Sequence, residues 1–384
     1  MSELLQQRTV AELAAALDRN DDLLVVDTRP PDSYGAWHVP GAVNVPYHPT
    51  GGLRDGSSWD DVEGLVGDTP VAVICGKGLA STSFGIELAS RGHDDVRVIK
   101  GGMEDWSKLY DVVEVATDGD LFLAQLQRRA KGCLGYVVGD RAAGEALIVD
   151  ATRQHHEFEL VAADAGTVIT GVVDTHVHAD HLSGGRDLAD RLSVPYYLSA
   201  DAEERGVAFD YEPIGDGDTL AVGGIEVETV AAPGHTTELL TLLVDDRYLL
   251  SADALFVDSV GRTELEFGEG DAAHGAGLLY DTLHDRYASL SDDTVILPGH
   301  VSVDADGRFS VGKPGELVAA RLGDLRGELS MFSLDREAFV ERVTSTSTEK
   351  PANYHRIIDA NRGQFALDED EATGLELGPN NCAV

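Results

Sequence analysis

The segment THVHADH (175–181) constrains this chain more than any other stretch. It directly follows the apolar run VITGVVD and supplies His176, His178, Asp180 and His181 within six residues. A strand end releases the backbone into a loop, where closely spaced side chains can turn toward one point. Three more donors repeat the setting: His235 in AAPGH, Asp253 in LLSAD and His300 in VILPGH, each at the C-terminal end of an apolar run beside small residues. Imidazole and carboxylate are ligands suited to zinc, iron or manganese. A lone strand-end histidine is ordinarily a surface or capping residue, and His155, His156, His274 and His284 read that way. Seven donors in four strand-end groups predict a metal centre.

At 384 residues the chain is long enough for two or three domains. Residues 1–110 alternate strands (LLVVDTR, AVNVPY, VAVIC, VRVIK) with helical patterns, predicting an α/β domain with a mainly parallel sheet. The first twenty-one residues read as an amphipathic helix. Residues 107–120 read as a join, with 111–120 as linker. From 121 to 384 strands outnumber helices, which predicts two sheets flanked by helices and, over 313–363, a helical extension.

In the first domain, VICGKGLAS (73–81) puts Cys75 between a buried strand and a helix. Gly76 and Gly78 permit a tight loop whose backbone N–H groups point inward at the sulfur. The helix that follows adds its positive end. Such surroundings suit a nucleophilic or sulfur-carrying thiolate, with Lys77 adding charge for a bound sulfur oxyanion. Cys133, in KGCLGYVV, reads as a buried structural thiol, and Cys382 has no assigned role.

Sixty-eight acids face 29 Lys plus Arg, only six of them Lys, for a formal net charge of −39. That charge repels nucleic acid and anionic membranes. Acids spread along the chain, with lysine scarce, fit a halophilic protein living where salt screens the self-repulsion. Three cysteines make no disulfide framework and indicate a reducing compartment. No apolar run approaches the ~20 residues of a membrane span, so a cytoplasmic location is expected.

HxHxDH, then PGH, a strand-end Asp and a second PGH together resemble the metallo-β-lactamase superfamily over roughly residues 115–363. The resemblance implies an αββα sandwich. It places His176, His178 and His235 in one metal group, Asp180, His181 and His300 in another, and Asp253 between them. The following LSGG and ADALFVDSVGRTEL (252–265) are similar to the persulfide dioxygenase branch. That branch implies one Fe(II) per chain on His176, His235 and Asp253, with three positions left for O₂ and a sulfur substrate. Arg262 is then the expected partner of the substrate's carboxylate. Glu264 stands where the branch has Asp, and Val301 and Ser302 stand where it has Asp-Tyr. The glyoxalase II thioesterases are close relatives, so a hydrolase with two zinc ions is the alternative. Residues 5–110 resemble the rhodanese family: the loop Cys75, Gly76, Lys77, Gly78, Leu79, Ala80, Ser81 matches Cys-x-x-Gly-x-x-Ser, supported by VVDTRPPDSYGAWHVPGAVNVPY and GGMEDW. Ala80 replaces a frequent Arg. The combination implies oxidation of a small thiol persulfide by O₂ to sulfite, with Cys75 moving sulfane sulfur among thiols, sulfite and thiosulfate in sulfide detoxification. A homo-oligomer is compatible with the sequence.

Overall fold

The computed structural model describes residues 5–345 and 350–379; Cys382 lies outside them. Residues 5–8 are the edge strand Leu5–Arg8, paired in parallel with Val96–Ile99, in place of the helix expected there. The helix begins only at Val10 because Thr9 caps it: its hydroxyl accepts the Glu12 N–H while Glu12 returns a bond to the Thr9 N–H. The first sheet runs Leu5–Arg8, Val96–Ile99, Val71–Ile74, Leu24–Asp27, Val43–Asn44, with every pairing parallel. Parallel strands buried on both faces need continuous apolar runs, and Val71–Ile74 is such a run, fully inaccessible.

Two larger sheets follow. One has seven strands, from Glu212–Ile214 at one edge to Tyr110–Glu114 at the other; the second has six, from Thr219–Val222 to Ala320–Arg321. Their inner faces share a core that includes Leu123, Tyr136, Val149, Val227, Leu242 and Leu297. Separate clusters pack helices against the outer faces, Phe158 and Leu188 on the seven-stranded side and Leu279 and Phe339 on the other. This is the expected αββα sandwich. The 111–120 linker requires correction. Tyr110–Glu114 pairs antiparallel with Leu121–Arg128 and is the outer strand of the seven-stranded sheet. The helical extension is also shorter at its start: of residues 315–329, only Leu322–Glu328 is α-helix.

The two halves touch directly. Arg129, at the start of the sandwich, binds Asp18 of the first helix and Asp111 at 2.7 and 2.6 Å. The His38 N–H donates to the Ala305 carbonyl at 3.0 Å. No helix among the described residues is long and apolar enough to cross a membrane.

Candidate metal centre and sulfur-transfer loop

Four strand ends meet at one edge of the sandwich. The strand Val168–Val173 releases the 174–182 loop, Ile225–Ala231 leads to His235, Tyr248–Ala252 to Asp253, and Val295–Pro298 to His300. All seven predicted donors are buried, none more than 4% exposed. They do not form one undivided cluster. His176, His235 and Asp253 make a three-donor group: Asp253 Oδ2 lies 4.0 Å from His176 Nε2 and 3.5 Å from His235 Nε2. Those three atoms have no hydrogen-bond partner. The opposite atom of each is held. His176 Nδ1 meets the Thr175 hydroxyl at 2.9 Å, His235 Nδ1 donates to the Arg262 carbonyl at 2.6 Å, and Asp253 Oδ1 bonds His300 Nδ1 at 2.7 Å. Each ring or carboxylate is thus fixed from behind and bare in front, which is how metal ligands are oriented. Burial, reinforced by neighbouring His178 and His235, holds His176 well below the ordinary histidine range. Neutral imidazole is the coordinating form.

Asp180, His181 and His300 form the second group. Asp180 Oδ2 lies 2.9 Å from His181 Nδ1 and 2.8 Å from His300 Nε2. Burial opposes charge on both Asp180 and His181. Their mutual attraction outweighs it, so Asp180 lies well below the usual carboxylate range and His181 well above the usual histidine range. His178 turns away to Asp150, its Nε2 3.1 Å from Oδ1, with Nδ1 left without a hydrogen-bond partner.

In the first domain Cys75 ends the strand Val71–Ile74 and is 4% exposed. The Gly78 N–H donates to its sulfur at 3.1 Å, and the Ser81 hydroxyl lies 3.4 Å away. Gly78 has φ +92°, a left-handed conformation that glycine takes without a Cβ penalty, and the helix Leu79–Ser90 starts immediately after it. Gly102 closes the loop from the other side: a Cβ there would stand 2.1 Å from the Cys75 carbonyl oxygen. Lys77 reaches Glu104 at 3.2 Å and Asp370 at 3.7 Å.

Comparison with known proteins follows the same division. Residues 9–109 match the rhodanese-like domain, and residues 129–300 match the metallo-beta-lactamase superfamily. The human protein named "Persulfide dioxygenase ETHE1, mitochondrial" is 30% identical over 183 residues, 47% of this chain and 68% of that protein. The chain belongs to the family of the ETHE1 persulfide dioxygenases. The crystal structure of ETHE1 from Myxococcus xanthus superposes with a TM-score of 0.54 at 25% identity, covering 63% of this chain and 98% of that one. A hydroxyacylglutathione hydrolase of Polaromonas is 29% identical over 223 residues, 57% of this chain and 78% of that enzyme.

Three parts of this ETHE1-family centre escaped the sequence. Cys133 is no mere packing thiol: its Sγ donates to Asp180 Oδ2 at 3.1 Å, and a backbone bridge sets it against His300. Burial and the Asp180 charge push this thiol up, but His181 and His300 prevail and hold it below the usual thiol range. Asp150, at the end of the strand Glu145–Val149, accepts the Thr175 N–H at 2.8 Å and its hydroxyl at 3.0 Å. The loop backbone is also clamped from far along the chain. Glu238 accepts the Val177 N–H at 2.9 Å, Asn361 donates to the carbonyls of His178 and His181, and Glu376 accepts the Leu182 N–H at 3.0 Å. These partners carry no local motif; only the strand-end place of Asp150 was readable.

Arg262 lies beside the centre, but its guanidinium is not presented to a ligand. The residue is 2% exposed, and its Nε and a terminal nitrogen donate to Glu264 at 2.7 and 2.5 Å. Glu264 holds the cation expected to receive a substrate carboxylate. His155 pairs with Glu159 and His284 stacks on Tyr280, both away from the centre.

Proposed function

We propose that this chain is an iron-dependent persulfide dioxygenase that oxidises a low-molecular-weight thiol persulfide, coupled to sulfur transfer through Cys75, in a reducing intracellular compartment. The observation that carries the reading is the group His176 Nε2, His235 Nε2 and Asp253 Oδ2, three converging atoms without hydrogen-bond partners. Each buried polar atom left so costs about 1–3 kcal/mol, a cost that a bound cation removes. Two histidines and one carboxylate on one face fit the ligand set of non-haem Fe(II) oxygenases. Fe(II) held by these three residues would supply the redox chemistry that brings O₂ to the outer sulfur of a persulfide. The persulfide, O₂ and water balance to thiol, sulfite and protons. The chain's own part is orientation. Thr175 aims His176, the Arg262 carbonyl aims His235, and His300 occupies Asp253 Oδ1 so that Oδ2 faces the site.

The rhodanese-like loop handles the same element. Cys75 accepts or delivers sulfane sulfur as a persulfide, and sulfite and thiosulfate are its partner acceptors and products. Carriage on one chain raises the effective concentration of each site's product at the other.

Two zinc ions and thioester hydrolysis make the second reading, favoured by the presence of all seven donors and by the similarity to the hydroxyacylglutathione hydrolase. Against it, Asp180 and His300 are bonded to each other and to neighbouring donors. Metal analysis of anaerobically purified protein, with O₂ uptake on a thiol persulfide in molar KCl, tests the choice. One iron per chain and persulfide-dependent uptake are expected. Two zincs and thioester hydrolysis without uptake would overturn the proposal.

A further inference from the structure

One buried side chain joins the loop of Cys75 to the loop of His176 and His181. The carbonyls of Cys75 and Gly76 accept the N–H groups of Met103 at 2.8 Å and Glu104 at 3.1 Å, both in the short helix Gly102–Trp106. Just past that helix, the Ser107 carbonyl accepts Arg128 Nε at 2.7 Å. A terminal nitrogen of the same guanidinium donates to Glu376 Oε1 at 2.9 Å, and that oxygen also takes the Leu182 N–H at 3.0 Å. Leu182 directly follows His181. We propose that Arg128 is a positioning residue through which the state of the Cys75 loop sets the metal loop.

The path is closed to water. Met103, Ser107, Arg128, Leu182 and Glu376 are all at most 6% exposed. A bond broken among such groups leaves a buried polar atom without a partner, so a shift at one end is passed on rather than absorbed by solvent. The turn that carries Arg128 is itself anchored in the first domain, because Ala130 packs with Trp37, Met103 and Trp106. Contiguous packed and hydrogen-bonded groups of this kind can carry coupling between distant sites.

Arginine suits the place because its planar fork serves two acceptors in fixed directions, whereas lysine offers a point charge. Surface pairs also cross between the same parts of the chain, Lys77 to Asp370 at 3.7 Å and Lys108 to Glu369 at 3.9 Å. Their carboxylates are 90% and 74% exposed, and exposed pairs contribute little. The buried route is the one that can transmit. The inference rests on the proposed function in taking both loops as working sites of one chain, and it gives their linkage a physical path, whichever metal and whichever sulfur donor they use.

The test follows metal loss to a chelator from the full chain with its resident metal, in a Cys382→Ser background, with Cys75 free or alkylated by iodoacetamide. Mass mapping confirms that Cys133 is unmodified. Alkylation should change the rate of metal loss about fivefold or more, and Arg128→Lys, which keeps the charge but not the fork, should bring that ratio to about one. Asp370→Asn, which cuts a surface pair, should leave the ratio as it was. A ratio near one before substitution, or one that survives Arg128→Lys, would overturn the proposal. Gly102→Ala makes the same comparison without thiol chemistry, since its Cβ forces the helix off the Cys75 carbonyl. Its effect on metal loss should vanish when combined with Arg128→Lys, and strictly additive effects would overturn the path. Metal release is read in place of turnover, so failure here is distinct from failure of the persulfide reading, which O₂ uptake decides.

Discussion

Leu182 and Glu376 stand 194 positions apart, yet the backbone N–H of the first donates to the carboxylate of the second at 3.0 Å. The same carboxylate takes Arg128 at 2.9 Å and Arg153 at 2.5 Å, and Glu376 is 1% exposed. Removing the charge takes its carboxylate from the fully buried Arg128 guanidinium, while Arg153 keeps Glu369 at 2.8 Å. Breaking a buried pair typically costs about 3–5 kcal/mol. Glu376→Gln should therefore lower the urea midpoint by a loss in that range and weaken metal retention together. A wild-type midpoint would show that Glu376 is not the clamp.

The same residue gives a pH dependence. Burial raises the Glu376 carboxyl, but Arg128 and Arg153 prevail and bring it down to about 2 from an ordinary 4.5. A depressed carboxylate stabilises the fold fully above its unfolded value and loses that contribution as pH falls toward its folded one. Chemical denaturation between pH 5 and about 2 should show wild type losing stability that Glu376→Gln has already lost, so the two curves converge in acid. Curves that stay parallel would count against the linkage.

Thr175 touches the metal group only through His176 Nδ1. Thr175→Val keeps the shape and removes the hydroxyl. Partners of this kind are typically worth 10–100-fold in metal affinity, so competition with a chelator should show loss of about that size, together with the modest fall in thermal midpoint expected from the lost hydroxyl bond to Asp150. Unchanged affinity would mean that the ring needs no such guide.

Cys75→Ser should abolish thiosulfate-to-thiol sulfur transfer and leave O₂ uptake on an added persulfide intact. The two sites are assigned to separate chemistry, and an assay of each on one preparation separates them. Transfer that survives would remove Cys75 as the nucleophile.

A net charge of −39 repels itself, and salt shortens the range of that repulsion from ~10 Å at 0.1 M to ~3 Å at 1 M. The thermal midpoint should rise across that range of KCl. A flat or falling midpoint would remove the halophilic reading.

Much of this was legible because strand-end donors are local. THVHADH, AAPGH, LLSAD and VILPGH each announce themselves within a few residues of an apolar run, and CGKGLAS does so for the thiol loop. Long-range pairing was not legible. Cys133 gains its role only from a bridge to His300, and Glu238, Asn361 and Glu376 only from backbone groups of the 176–182 loop. The 107–120 stretch looked like a join because its strand is short and acidic; its partner Leu121–Arg128 decides it. Arg262 read as a ligand-binding cation because sequence could not show Glu264 folded onto it.

The clamp also sets an order of assembly. During synthesis all seven strand-end donors have been made once His300 is in place, yet Glu376 comes 76 residues later. At 5–20 residues per second that leaves roughly 4–15 s in which the donors exist without their final fastening. Whichever ion a nascent chain meets in that interval encounters a looser and less discriminating set of ligands than the finished protein offers, so the fidelity of metal loading depends on a carboxylate made 76 residues after the last donor.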